Sequence, residues 1–108
     1  MPVKEIILQV PVSVSYDSNL DEVERITVEV AQAVMQTVSG GVPEFQPFIR
    51  YQSFEGFSIH LIVYLRVDEF FDQRLVKHEF IKQLPKRYQT EKIEIPFPTR
   101  TVYFKDKQ

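Results

Sequence analysis

Residues 93–105, IEIPFPTRTVYFK, are strand-like at both ends and barred from forming a single strand in the middle. Pro96 and Pro98 each lack a backbone N–H and fix φ, and each pushes the residue before it toward extended or polyproline II backbone. Ile95, Pro96, Phe97 and Pro98 therefore make a stiff linker arm. Beyond it Thr101, Val102, Tyr103, Phe104 and Lys105 form a short strand rich in β-branched and aromatic residues. The N–H and C=O groups of such a strand must find partners, either in the chain's own sheet or in another chain.

The rest of the chain supplies one core and not two, since its 108 residues are 44% hydrophobic and 26% charged. Its longest uninterrupted apolar run, residues 61–65, falls far below the roughly 18–20 residues a membrane helix needs. The N-terminus lacks the basic, apolar, small-residue order of a signal peptide, so the chain as given is expected not to cross a membrane. A net charge of −2 gives no broad attraction to nucleic acid or anionic lipid. Lys82, Lys86 and Arg87 gather locally, but acidic residues surround them. The absence of cysteine excludes disulfides, a thiolate nucleophile and Cys-type zinc sites, and agrees with a reducing compartment.

Apolar residues fall on every second position from Ile6 to Tyr16, the period of a half-buried strand. Pro11 interrupts them, which predicts a division there: residues 1–11 as a lead-in from a preceding unit and residues 12–16 as the first strand proper. Either Ser18 with Asp21 or Asn19 with Glu22 can cap a following helix, whose acids Asp21, Glu22 and Glu24 suit its positive end. Two apolar stripes run along that helix, one of Val23, Ile26, Val30, Ala33 and Val34, the other of Val28, Ala31, Met35 and Val38. A broad core contact or a neighbouring subunit can cover the second. Gly40, Gly41 and Pro43 end the helix.

Residues 45–54 and 57–67 make two strands joined at Glu55-Gly56, a tight-turn dipeptide. The second alternates: Phe57, Ile59, Leu61, Val63, Leu65 and Val67 line one face, and Ser58, His60, Ile62, Tyr64 and Arg66 the other. A second helix follows, with Val76, Phe80, Leu84 and Tyr88 at four-residue spacing and Ile81 beside them. Pro85 predicts its end or a kink near Leu84. Residues 92–95 return as a fourth strand. The order β-α-β-β-α-β with an additional C-terminal strand predicts an α+β, ferredoxin-like sandwich, one antiparallel sheet with two helices on one face.

No catalytic, metal or cofactor site is expected. His60 and His78 have no cluster of ligand-type residues at metal-binding spacing, no serine sits in a G-x-S-x-G elbow, and the three glycines serve a helix end and a turn. Phe48, Phe54, Phe57, Phe70, Phe71 and Phe80 are spread across elements as core packing would be. The same element order builds the RNA recognition module, and Glu55-Gly56-Phe57-Ser58-Ile59 faintly echoes its third-strand motif. Glu55 stands where that motif needs a base, and the net charge has the wrong sign. A stand-alone regulatory module binding a small metabolite is the remaining alternative, on fold analogy alone.

Ile93-Glu-Ile-Pro-Phe-Pro-Thr-Arg-Thr-Val102 resembles the C-terminal signature of the small-conductance mechanosensitive channel (MscS) family, with Lys92 and Thr99 in place of the common Gly and Gln. Residues 12–23 resemble the passage from strand to helix of the same family's last domain, and residues 48–51 and 57–67 its central hairpin. The resemblance implies the cytoplasmic vestibule domain of a heptameric, tension-gated channel of the inner membrane, without enzymatic activity, that releases ions and small solutes during hypo-osmotic shock. It implies a lead-in over residues 1–11 from a middle β domain, an α/β domain over 12–98, and residues 99–108 as a terminal strand. In the family such strands close a parallel barrel at the base of the vestibule. That role falls on Thr101, Val102, Tyr103, Phe104 and Lys105, with Ile95 to Pro98 as the arm. Nucleic acid is not an expected partner, and membrane contact is expected only through a transmembrane part that this chain lacks.

Overall fold

The structure is a computed structural model and describes residues 5–96. Five elements follow one another: β1 (Ile6–Ser15), α1 (Leu20–Thr37), β2 (Phe48–Glu55), β3 (Ser58–Val67) and α2 (Asp72–Thr90). The strands form one antiparallel sheet in the order β1-β3-β2. β3 is central because it alternates most cleanly: Ile59, Leu61, Val63, Leu65 and Val67 are all buried, and their neighbours half-buried. Leu8, Val10 and Val14 of β1 join them on the face that α1 and α2 cover.

β2 and β3 meet in a two-residue turn, with Glu55 paired to Ser58. Gly56 has φ +60° and Phe57 does not share the positive φ, the pattern of a type II′ turn, which matches the twist of the flanking strands. The turn thus falls one residue later than expected, and Phe57 moves from the core row into the loop, where it is 75% exposed.

Asn19 caps α1, its Oδ1 accepting from the N–H of Glu22 at 3.1 Å. The buried face is one broad surface, Val23, Ile26, Thr27, Val30, Ala31, Val34 and Met35, covered by the sheet and by α2. The breadth of the apolar pattern is therefore accounted for within the chain. Ala33 falls outside that face and is exposed.

Further expectations need correction. β1 runs through Pro11 without a break, pairing with β3 over its whole length. The reason lies in the direction of the missing N–H. Tyr16 N–H donates to the C=O of Phe57, just ahead of β3, at 2.8 Å, whereas Ser15 N–H donates outward to Glu94 at 2.9 Å, so the N–H groups of odd-numbered positions of β1, Pro11 among them, face away from the ladder. α2 also runs through its proline, to Thr90. Pro85 and Ile81 are both exposed, so the carbonyl that loses its amide partner lies on the solvent side and the core face is undisturbed. Ile81 is accordingly outside the core, at 51% exposure.

The fourth strand is not formed among the described residues. Lys92 turns the chain with φ +63°, Ile93 N–H donates to Tyr88 C=O at 2.8 Å, and Glu94 C=O accepts the single bond from Ser15. The segment lies at the outer edge of β1, where a fourth strand would be, without making a ladder. The α+β arrangement with both helices on one face holds, on three strands. Thr101, Val102, Tyr103, Phe104 and Lys105, with Phe97 and Pro98 of the arm, lie outside the described residues.

Candidate assembly surfaces

The chain leaves its core beside β1. Ile93 packs against the core, and Ile95, 40% exposed, sits in a groove of 180 Å³ between β1 and α2, among Val10, Pro11, Ser13, Phe80 and Leu84. Pro96 follows it. Of the arm inferred from sequence, Ile95 thus lies beside β1, one of the two edge strands of the sheet among the described residues. At the far end of the same edge a second groove of 510 Å³ is lined by Ile7, Gln9, Phe70, Gln73, Arg74 and Lys77.

The sheet face opposite the helices carries an aromatic and cationic row. Phe48 and Tyr64, paired across β2 and β3, stack with centroids 4.6 Å apart and planes 14° from parallel. Arg50 lies over Phe48 at 4.8 Å and Arg66 over Phe45 at 4.6 Å. Arg66 also meets Glu5 at 3.5 Å. His60, on the same face, shares a hydrogen bond with Ser13 Oγ through Nδ1 at 2.8 Å and stands 3.6 Å from Glu55. The alternation of β3 put His60, Tyr64 and Arg66 on this face correctly. The coupling to Phe48 was not foreseen, although its signal is present: a residue at the start of β2 stands directly across from Tyr64.

Large side chains expected inside lie outside. Phe54, Phe57, Phe70 and Phe71 are between 70% and 78% exposed. Phe54 and Phe57 flank the hairpin turn, with Tyr16 at 6.3 Å from Phe54. A bulge between Tyr51 and Ser53 shifts the alternation ahead of Phe54. Phe70 and Phe71 occupy the turn before α2, beyond the end of β3. Phe80 alone of the six is fully buried, with Phe48 half-buried in its stack.

Charged groups bridge the two helices. Glu22, Arg25, Glu29, Arg87 and Glu91 form a continuous chain across α1 and α2, with Arg87 to Glu29 at 2.6 Å and Arg87 to Glu91 at 2.9 Å. The hydrogen bond from Arg87 holds the Glu29 carboxyl below its usual range. These groups are solvated, so each pair contributes little to stability. Burial, followed by nearby acidic groups, pushes the Tyr51 hydroxyl up to about 12, and its O–H donates to Leu20 C=O at 2.7 Å. Among the described residues no three ligand-type side chains converge to hold a metal ion, and no helix is long and apolar enough to cross a membrane.

No protein-family model matches the chain, and no curated protein matches it in sequence. Solved structures do. MscS of Helicobacter pylori, in its closed state, matches at 19% identity and a TM-score of 0.65, over 96% of this chain and 40% of that one. A variant of Arabidopsis thaliana MSL1 matches at 10% identity and a TM-score of 0.65, over 88% of this chain and 36% of that one. A further MSL1 structure matches at 10% identity and a TM-score of 0.63, over 88% and 35%. What is shared at these identities is the fold, and this chain spans well under half the length of either protein. The fold expected from the resemblance to the MscS family is the fold found.

Proposed function

We propose that this chain is the cytoplasmic vestibule domain of an MscS-like mechanosensitive channel, carrying no catalysis of its own. It packs around the solute path on the inner face of the cell membrane, in a ring of copies that the family pattern makes heptameric, and the complete channel passes ions and small solutes during hypo-osmotic shock. The observation that carries this reading is the likeness to MscS over 96% of the chain, joined by the proline-containing C-terminal motif. Under it the chain ahead of β1 leads in from a preceding β domain. Ile95, Pro96, Phe97 and Pro98 are the arm, and Thr101 to Lys105 are the strand each copy adds to a shared barrel. A closed ring of strands removes open edges, and each copy satisfies its neighbour's backbone.

The stand-alone alternatives have less support. A module that binds nucleic acid needs a positively charged surface, and this chain carries a net charge of −2. Deleting residues 101–108 tests the assembly role. Sedimentation velocity should then show smaller oligomers than the full chain forms, while circular dichroism and the unfolding midpoint stay unchanged. Loss of the fold on deletion, or an unchanged oligomer, overturns it.

A further inference from the structure

We propose that the outer edge of β1 beside Ile7 and Gln9 is a docking site for an extended acidic segment of another protein, which adds there as a short strand and sets two carboxylates against Arg74 and Lys77. Nothing in this site depends on the channel reading.

β1 is an edge strand of the sheet among the described residues, and its odd-numbered N–H groups face outward. Pro11 divides that edge in two, because it has no N–H to offer. On one side the chain's own backbone already uses the edge: Ser15 N–H donates to Glu94 C=O at 2.9 Å, and Ile95 sits in the groove between β1 and α2. On the other side the backbones of Ile7 and Gln9 have no partner across the edge among the described residues. Their N–H and C=O groups form a row with which an extended segment can pair.

α2 and the turn before it wall this half of the edge. Phe70, Gln73, Arg74 and Lys77 recur at three- and four-residue spacing and, with Ile7 and Gln9, line a groove of 510 Å³. Farther along α2 the row continues as Ile81, Leu84 and Pro85, which line the groove that holds Ile95. The wall is thus apolar where this chain's own isoleucine lies and cationic beside Ile7 and Gln9. No acidic side chain lines the cationic groove, and neither Arg74 nor Lys77 enters an ion pair among the described residues. Both are exposed, and Phe70 beside them is 70% exposed. Of the acids close by in sequence, Asp72 is turned to the backbone, accepting from Glu69 N–H at 3.0 Å.

The spacing of the two cations fits a strand. In a segment paired to β1, residues opposite Ile7 and Gln9 point to the open face of the sheet, and the residues between them point to the helix side. Successive helix-side residues are about 6.6–6.8 Å apart. Arg74 and Lys77 are three positions apart, about 4.5 Å of helix rise, and their long side chains span the difference. Acids at alternate positions of the segment therefore each meet one cation. A single exposed ion pair is weak, so selectivity comes from requiring a pairable backbone and two correctly spaced carboxylates together. A nucleic acid or a lipid headgroup offers anions but no amide row for Ile7 and Gln9.

The test titrates the full 108-residue chain with the peptide acetyl-Thr-Glu-Thr-Glu-Thr-amide and follows it by NMR. The Ile7 and Gln9 amides should shift and, at saturation, exchange with solvent about tenfold more slowly, while Ser15, beyond Pro11, stays as it is. Glutamine in place of both glutamates, or the same residues reordered as acetyl-Glu-Thr-Thr-Glu-Thr-amide, should weaken binding about fivefold or more. Charge reversal by Arg74→Glu with Lys77→Glu should weaken it about tenfold. Gln9→Pro removes one outward N–H, as Pro11 already does on the same edge, and should weaken binding with both cations intact. If that variant does not fold, the slowed exchange of Ile7 and Gln9 in the natural chain decides the backbone claim. No binding at millimolar peptide overturns the site, as do Ile7 and Gln9 amides already protected in the free chain. Equal binding of the reordered peptide, the same shifts from inorganic phosphate, or shifts confined to Arg74 and Lys77 reduce the groove to a non-specific anion contact and overturn it too.

Discussion

Thr27 is a polar residue at the centre of an apolar helix face, fully buried between Ile26 and Val28, and in the sequence nothing marks its partner. The structure supplies one sixty-one positions away: Tyr88, also fully buried, whose hydroxyl lies 2.5 Å from Thr27 Oγ1. Burial raises the pKa of Tyr88, and the Thr27 hydrogen bond opposes it to a lesser degree. Two hydroxyls that satisfy each other cost the core little, but either alone becomes an unmet polar group. Tyr88→Phe should therefore cost about 1–3 kcal/mol, toward the low end because a helical threonine can turn its hydroxyl to the carbonyl four residues back. Thr27→Val should cost a similar amount, and the double variant less than the sum. Urea denaturation of the four chains measures the coupling directly, and strict additivity would show that the contact contributes nothing.

At the scale of elements, α2 holds a proline five residues before its end and stays helical, because burial of Tyr88 and Leu84 on either side keeps the last turns in place. Pro85→Ala restores the amide that Ile81 C=O lacks and removes the ring from the preceding turn. It should stabilise the chain by about 1–3 kcal/mol, less than the full helix-interior penalty since the lost rigidity of the unfolded chain works the other way. A thermal melt decides the sign. α2 also shows what could be read from sequence. Its four-residue stripe of Val76, Phe80, Leu84 and Tyr88 is the buried face, the alternation of β3 is the sheet's inner row, and Asn19 with Glu22 is one of the two caps foreseen. These patterns are local, so they survive any tertiary context. What escaped was set by position in the sheet or bundle. Pro11 is harmless only because β1 is an edge strand and its parity faces outward, and neither fact is written in residues 6–15. Residues 92–95 have strand composition, yet the left-handed turn at Lys92 and the proline at 96 leave them a single hydrogen bond to β1. Phe97, Pro98 and residues 101–105 lie outside the described residues, and the arm and strand read there rest on residue types alone.

Across the whole molecule, aromatic content proves a poor guide to the interior. The core is built from aliphatic side chains of all five elements, with Phe80 and Tyr88 as its fully buried aromatics, while Phe54 and Phe57 crowd one end of the sheet and Phe70 and Phe71 the other. Each of the four exposed rings sits in or beside a turn, where the chain reverses before a side chain can reach under the helices. Removing them should thus cost no core packing. Alanine at Phe54, Phe57, Phe70 or Phe71 should change stability by no more than about 0.5 kcal/mol each, whereas Phe80→Ala should cost about 3–5 kcal/mol by opening a cavity between α2 and the sheet. Under the proposed channel reading, these rings at both ends of β3 are surfaces available for contact between copies, since a head-to-tail contact uses two different surfaces of one chain. Sedimentation and denaturation on the same alanine variants separate the two roles: an assembly ring loses oligomer at constant stability, and a packing ring loses stability first. Phe57→Ala destabilising the monomer as much as Phe80→Ala would return the hairpin end to the core and remove it as a surface for contact between copies.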